Sequence, residues 1–307
     1  MSLPNKTNLL PDRPGIPPMA PMPEAETLDI PALAESYLRG DIDLICVLGP
    51  TASGKTKYAV QLAKEISRLR PLGSARNDNG CHFDQAKRNE NGCHFDQAKR
   101  VEKSAAEILS ADSRQVYTGM DIGTGKDLRE YGEVPYHLID LVPAGSKFNI
   151  YQYQAAFAEA YADVRSRGAV PILCGGSGLY IESVTRAYKF DKENGVPAER
   201  LPQKTFYIGT LVSREERVER IDRRLDERLE EGLVEEVQGL LDSGIPPEDL
   251  LWYGLEYKFV TQYILGEISY DEMHILLANA IHQFAKRQMT WFRGMERDGV
   301  RIHWVRP

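Results

Sequence analysis

The sequence predicts an α/β protein: a parallel sheet with helices on both faces and a helical C-terminal part. Two observations carry this. Short apolar runs of strand length alternate with longer stretches of helical period, as expected for parallel strands joined by crossover helices. The first of these runs leads directly into a glycine-bearing loop, Gly49-Pro50-Thr51-Ala52-Ser53-Gly54-Lys55-Thr56, which a helical pattern follows.

The elements follow in order. Residues 44–48 are all apolar, the mark of a buried strand. Tyr58, Leu62, Ile66 and Leu69 step at helical spacing. A second strand is expected around 108–109 and a third over 136–142. A helix over 150–167 ends at Gly168, and buried strands follow at 170–174 and 206–212. One long charged helix is expected over 214–242, a final helix over 270–296 and an edge strand over 300–305. Residues 1–40 hold eight of the 18 prolines and show little periodicity. They are expected to form a disordered tail, at least to Glu24, with a short helix near 31–39. The folded domain is expected over 41–305.

Residues 77–88 (NDNGCHFDQAKR) and 89–100 (NENGCHFDQAKR) form a tandem repeat. Two polar copies do not make a solenoid, so an inserted, solvated loop is expected. Cys81-His82 and Cys93-His94 fit no common zinc spacing. Cys46 and Cys174 lie in apolar runs and are expected in the core; nothing resembles a disulfide framework.

The 307 residues, 42% hydrophobic and 27% charged, suit one or two globular domains. No apolar run reaches membrane-spanning length, and the start lacks the pattern of a secretion signal. A cytoplasmic monomer is the expectation. The net charge of −7 does not advertise nucleic-acid binding, but a local basic face matters more than the total.

Gly49, Gly54, Lys55 and Thr56 satisfy G-x-x-x-x-G-K-S/T between a predicted strand and a predicted helix. Backbone N–H groups of such a loop turn inward around an anion, and the helix N-terminus adds partial positive charge. Lys55 reaches the terminal phosphate, and the Thr56 hydroxyl is a candidate Mg²⁺ ligand. The loop alone leaves open whether the ligand is ATP or another diphosphate. Asp112, just past the second strand, is placed near that ligand because sites in open α/β sheets lie beyond the carboxyl ends of the strands. It suits a metal ligand or general base, or simply a cap for a turn. Lys126 is a candidate for the same anion. Arg217, Arg220, Arg224 and Arg228 share a helix face, with acids interleaved at Glu219, Asp222, Asp226 and Glu227. The plain reading of that face is a solvated, salt-bridged helix, and it is the reading preferred for Arg217 and Arg228. Lys286, Arg287 and Arg293, with Trp291 and Phe292, suit an RNA surface, although Phe292 is expected in the core. His137, His274 and His303 are read as structural.

GPTASGKT, SADSRQVYTGMDIGTGKD, VPYHLIDLV, VPILCGGSGLYIES, GEISYDEM and AKRQMTWFRGMER occur in this order. Together they resemble the tRNA dimethylallyltransferases (isopentenyltransferases) over most of 43–305. The resemblance implies a P-loop, nucleotide-kinase-like fold. It further implies dimethylallyl diphosphate on Gly49, Pro50, Thr51, Ala52, Ser53, Gly54, Lys55 and Thr56, with Mg²⁺ at Thr56. The acceptor implied is N6 of the adenosine 3′ of the anticodon, presented by the tRNA anticodon stem-loop. Asp112 matches the family's general base, and Arg224 its diphosphate-contacting arginine. Asp112, Ser113, Arg114 and Gln115 match the segment on the target base, and Ser177 matches a tRNA-contacting position that is usually Thr. His282 stands where many relatives have arginine.

Two departures stand out. The 77–100 repeat occupies what is a short connection in relatives. Only residues 191–205 stand where relatives carry a long helical insertion that grips the anticodon arm, so weaker tRNA binding is expected. The stretch LWYGLEYK at 251–258 also lacks basic residues that many relatives have. Three alternatives stay open: an adenylate isopentenyltransferase acting on free adenine nucleotides, a small-molecule kinase, and an inactive remnant.

Overall fold

In the computed structural model, residues 23–69, 106–186 and 195–307 are described. The chain runs α1 (Ile30–Leu38), β1 (Leu44–Leu48), α2 (Lys55–Leu69), β2 (Ala106–Ser110), β3 (Tyr117–Thr118), α3 (Leu128–Tyr131), β4 (Tyr136–His137) and β5 (Val142–Pro143). It continues through α4 (Ile150–Ser166), β6 (Val170–Gly175), α5 (Gly178–Thr185), β7 (Thr205–Thr210), α6 (Arg214–Glu230), α7 (Leu233–Asp242), α8 (Pro247–Tyr253), α9 (Leu255–Ile264), α10 (Tyr270–Arg297) and β8 (Ile302–Val305).

Six strands form one sheet in the order β4-β2-β6-β1-β7-β8, and every pairing is parallel. The central strand β1 is fully buried, and its side chains alternate between two cores. Ile45 and Val47 face a layer with Leu62 and Ile66 of α2 and Leu33 of α1. Leu44, Cys46 and Leu48 face a larger layer built from α4 and α5 and from helices of the C-terminal part. The expected doubly covered parallel sheet is therefore present, and Cys46 and Cys174 are buried core residues.

Two expectations change. The strand expected over 136–142 is two short pieces. Leu138 (φ +66) and Asp140 (φ +57) take left-handed backbone between them, and β5 pairs with β3 in a separate two-stranded sheet. The helix expected over 214–242 breaks into α6 and α7 at Gly232, whose φ of +104 suits glycine far better than other residues. The short helix expected near 31–39 is α1, which packs Leu33 into the core, and Glu26 N–H donates to the Trp304 carbonyl at 2.6 Å. The 77–100 repeat, with Cys81 and Cys93, lies outside the described residues, as do residues 1–22 and 187–194. Among the described residues no helix is long and apolar enough to cross a membrane.

Candidate active site

The phosphate loop joins β1 to α2 at the carboxyl edge of the sheet. A Cβ on Gly49 would lie 2.1 Å from Thr210 Oγ1 and 2.6 Å from Ser53 Oγ, so this position admits only glycine. Ser53 is buried, with its Oγ 2.6 Å from Thr210 Oγ1. Ala52 (φ +58) and Gly54 (φ +80) hold left-handed backbone, a conformation that costs a non-glycine residue roughly 1–2 kcal/mol. Gln288 of α10 fixes the loop from behind. It accepts from Thr51 N–H at 2.8 Å and donates to the Gly176 carbonyl at 3.0 Å.

Ahead of the loop lies a cavity of about 510 Å³, lined by Gly54, Lys55 and Thr56 on one side and Arg220, Arg224 and Arg228 on the other. The first N–H groups of α2 have no carbonyl of their own helix to bond. Burial pushes the Lys55 ammonium below its ordinary value, and Arg224 adds to this, while Asp112 and Glu130 oppose it.

Asp112 follows β2 and does not form the cavity wall, although it lies within electrostatic range of Lys55. Its Oδ1 accepts from Arg114 N–H at 2.9 Å, so the turn-capping role is real. Ser177 Oγ accepts from Ser113 N–H at 3.0 Å, which ties the start of α5 to this turn. Gly175 permits the approach, since a Cβ there would sit 2.2 Å from the Ala111 carbonyl oxygen. Gln115 reaches the cavity, accepting from Ser110 Oγ at 3.1 Å and donating to the Gly125 carbonyl at 3.4 Å. The loop, the Asp112–Gln115 turn, Ser177 and Arg224 thus converge. The Arg114 guanidinium lies 5.5 Å from the ring centres of both Trp252 and Tyr253.

Arg224 Nη2 lies 3.5 Å from the Gly125 carbonyl and 3.4 Å from Asp127 Oδ2. Arg228 is not on a solvated face. It is 12% exposed, lines the cavity, and reaches the Gly123 carbonyl and Glu256 Oε1, both at 3.4 Å. Burial pushes its guanidinium down and the Glu256 carboxyl up, and each opposes the other's shift. A Cβ on Gly125 would collide with both guanidinium groups, at 1.8 and 2.2 Å. Arg217 is half-buried and off the cavity wall.

Lys126 does not face the anion site. Its Nζ is buried and committed to Asp121 Oδ1 at 2.8 Å, to Asp140 and to the Tyr117 carbonyl. The loop it anchors is held from the other side by Glu236. That carboxylate accepts from the N–H groups of Asp121, Ile122 and Gly123 at 2.8, 2.6 and 3.0 Å, and from the Tyr257 hydroxyl at 2.8 Å.

On α10, Phe292 is buried as expected. Trp291 is partly exposed and donates to Glu182 Oε2 at 2.7 Å. His282 Nε2 lies 2.8 Å from Asp222 Oδ1. His137, His274 and His303 each pair with a carboxylate, that of Glu107, Asp226 and Glu26 respectively. Among the described residues no group of three or more acidic, histidine or cysteine side chains is placed to hold a metal unaided.

Gln288, Glu236, Glu256 and the buried role of Arg228 were missed. A signal existed for two of them. Gln288 continues the apolar stripe of Ile281, Ala285 and Phe292, and Arg228 that of Ile221 and Leu225. A polar residue on a buried stripe must be answering a buried partner.

A family model described as IPP transferase matches residues 115–205 and 190–295. The "tRNA dimethylallyltransferase 2" of Bacteroides fragilis is 40% identical, over 86% of this chain and 93% of its own length. The "tRNA dimethylallyltransferase 1" of Parabacteroides distasonis is also 40% identical, over 86% and 92%. Among solved structures, the full-length tRNA isopentenylpyrophosphate transferase of Bacillus halodurans superposes with a TM-score of 0.65 at 25% identity, covering 86% of this chain and 89% of that one. The Staphylococcus epidermidis tRNA delta(2)-isopentenylpyrophosphate transferase gives 0.63 at 28% identity, covering 86% and 92%. Sequence, fold and the joining of phosphate loop, acidic turn and arginine helix agree, and the chain belongs to the IPP transferase family.

Proposed function

We propose that this protein transfers a dimethylallyl group from dimethylallyl diphosphate to N6 of the adenosine 3′ of the anticodon in tRNA. One observation carries the reading at the level of the site: Lys55 and Thr56 of the phosphate loop face Arg224 and Arg228 across one cavity, beside the Asp112 turn. The cationic walls suit a diphosphate. When the allylic C–O bond breaks, its electron pair leaves with that diphosphate, and Lys55 and Arg224 stabilise the charge. The N6 lone pair forms the new C–N bond, and Asp112 takes the N6 proton. Such general-base assistance is worth about 10²–10⁴-fold. Asp112, Ser113, Arg114, Gln115 and Ser177 present the adenine.

The donor set fits a Mg²⁺ ion held mainly by substrate. Thr56 offers a hydroxyl, while Asp127 and Glu130 add carboxylates to the same cavity wall. When bound, the ion neutralises diphosphate charge.

The domain is read as 41–305, with 191–205 a shortened form of the family's RNA-gripping insertion. The two segments matched by the family model overlap at 190–205, which supports reading that stretch as the shortened insertion. This favours one second reading, a free adenine nucleotide as acceptor, since such a substrate needs no grip on an anticodon arm. Incubation with labelled dimethylallyl diphosphate and either tRNA or AMP separates the two. Label in tRNA supports the proposal, and label in AMP alone replaces it. Label in neither, with folded protein, leaves an inactive remnant.

A further inference from the structure

Trp252 is the second-last residue of α8 and is 62% exposed. A large apolar ring left in water asks for a reason. Its neighbour Tyr253 is fixed. Tyr253 is buried, packs on Tyr117 at 4.8 Å between ring centres, accepts from Gly145 N–H at 2.8 Å, and donates to the Ser146 carbonyl at 3.3 Å. The backbone that presents Trp252 is therefore held in place, and the ring, edge-on to Tyr253 at 5.6 Å between centres, is left largely in water. Arg114 lies against the same pair, 5.5 Å from each ring centre. Arg114 is also the residue whose N–H is capped by Asp112. The guanidinium thus stands two residues along the chain from the carboxylate that takes the proton, and the exposed indole lies against it.

Unpaired RNA bases splayed out of a loop stack on aromatic rings and on arginine planes, and the arginine also meets the neighbouring phosphate. We propose that Trp252, backed by Arg114, is a stacking platform for an unpaired base next to the target adenosine. The proposal rests on the tRNA reading above and deepens it. An acceptor whose target base is pulled from its stack leaves its neighbours without their stacking partner. A platform at the rim of the site replaces that contact.

The test uses the full chain, labelled donor and an anticodon stem-loop RNA. Trp252→Ala should raise KM for the stem-loop on the order of 10- to 100-fold, the range of lost base–aromatic stacking. Turnover at saturating RNA and donor affinity should stay within about threefold. Trp252→Phe should restore most of the loss. A stem-loop made abasic at the flanking position should lose the same factor with wild type and nothing more with Trp252→Ala. Stem-loop binding should quench tryptophan emission in wild type but much less in Trp252→Phe. Unchanged KM in Trp252→Ala overturns the proposal, as does a loss that the abasic RNA does not share. So does a change from dimer to monomer on substitution, which would assign the ring to a second copy of the chain. If wild type itself transfers nothing to RNA, the functional reading fails instead, and the two failures are distinct.

Discussion

Asp112→Asn separates the observed turn cap from the proposed general-base role of one carboxylate. Asp112 Oδ1 caps Arg114 N–H at 2.9 Å, and an asparagine oxygen can keep that bond. What asparagine cannot do is accept the N6 proton. Turnover should therefore fall about 10²–10⁴-fold, or roughly 3–5 kcal/mol in the barrier. Stability should hold, because the turn survives. Asp112→Ala loses the base and the cap together. Its turnover should fall by the same factor, with a further stability loss of about 1 kcal/mol for one hydrogen bond. In a chain of 307 residues that is a drop in Tm of about 1–2 °C. Single-turnover transfer from labelled donor gives the chemical step, calorimetric titration gives donor affinity, and thermal unfolding gives the turn. Turnover of Asp112→Asn within tenfold of wild type would refute the general-base role. Loss of donor affinity with turnover preserved at saturation would move Asp112 to the metal.

Three more outcomes follow from the same geometry. Burial lowers Lys55, so its proton is lost earlier as pH rises; donor affinity should decline below the usual lysine range near about 10.4. Lys55→Arg should keep the affinity flat over that range in calorimetric titrations, since a guanidinium stays charged. Glu236→Ala strands three backbone N–H groups at about 1 kcal/mol each. Chemical denaturation should show a loss of about 3 kcal/mol, and donor affinity should fall because the carbonyls that seat Arg224 and Arg228 belong to the freed loop. Burial raises the Glu107 carboxyl, but hydrogen bonds from His137 and Arg167 outweigh it and hold the group below its ordinary value. Its contribution is present above the unfolded value and is lost as pH falls through the lower folded one. Glu107→Gln should cost roughly 3 kcal/mol at neutral pH and flatten the acid side of a plot of urea midpoint against pH.

The elements legible in the sequence were those whose cause is local. The five apolar residues of β1 fit a strand buried on both faces, and the glycines and lysine that follow have their meaning within eight positions. The break at Gly232 was hidden because the apolar stripe of Ile221, Leu225 and Leu229 carries on through Leu233 and Val237. Continuous periodicity outvoted one glycine. The strand expected over 136–142 failed for a tertiary reason. Its apolar residues suit a strand, yet Leu138 and Asp140 adopt left-handed backbone, and Asp140 is one of the two carboxylates that hold Lys126. Arg228 was misplaced because interleaved acids make a helix face look solvated, whereas its actual partners are a carbonyl and an acid from distant segments.

The division of labour among the cations explains why the site needs so many of them. Lys126 sits between Asp121 and Asp140, so its charge is spent on holding the loop together. Arg224 and Arg228 rest on the carbonyls of Gly125 and Gly123, at 3.5 and 3.4 Å. A carbonyl orients a guanidinium without neutralising it, and contacts this long are weak, so each retains most of its charge for a ligand. Glu256 offsets part of the charge on Arg228, the more buried of the two, while the ion pair of Arg224 is with the exposed Asp127 at 3.4 Å. Burial pushes the Lys55 ammonium below its ordinary value, and the proposed diphosphate would oppose that shift. Lys126 is thus matched by close carboxylates, while Arg224 and Arg228 keep only long contacts to theirs. That arrangement suits the proposed diphosphate on the phosphate loop even though the chain as a whole is acidic, with a net charge of −7.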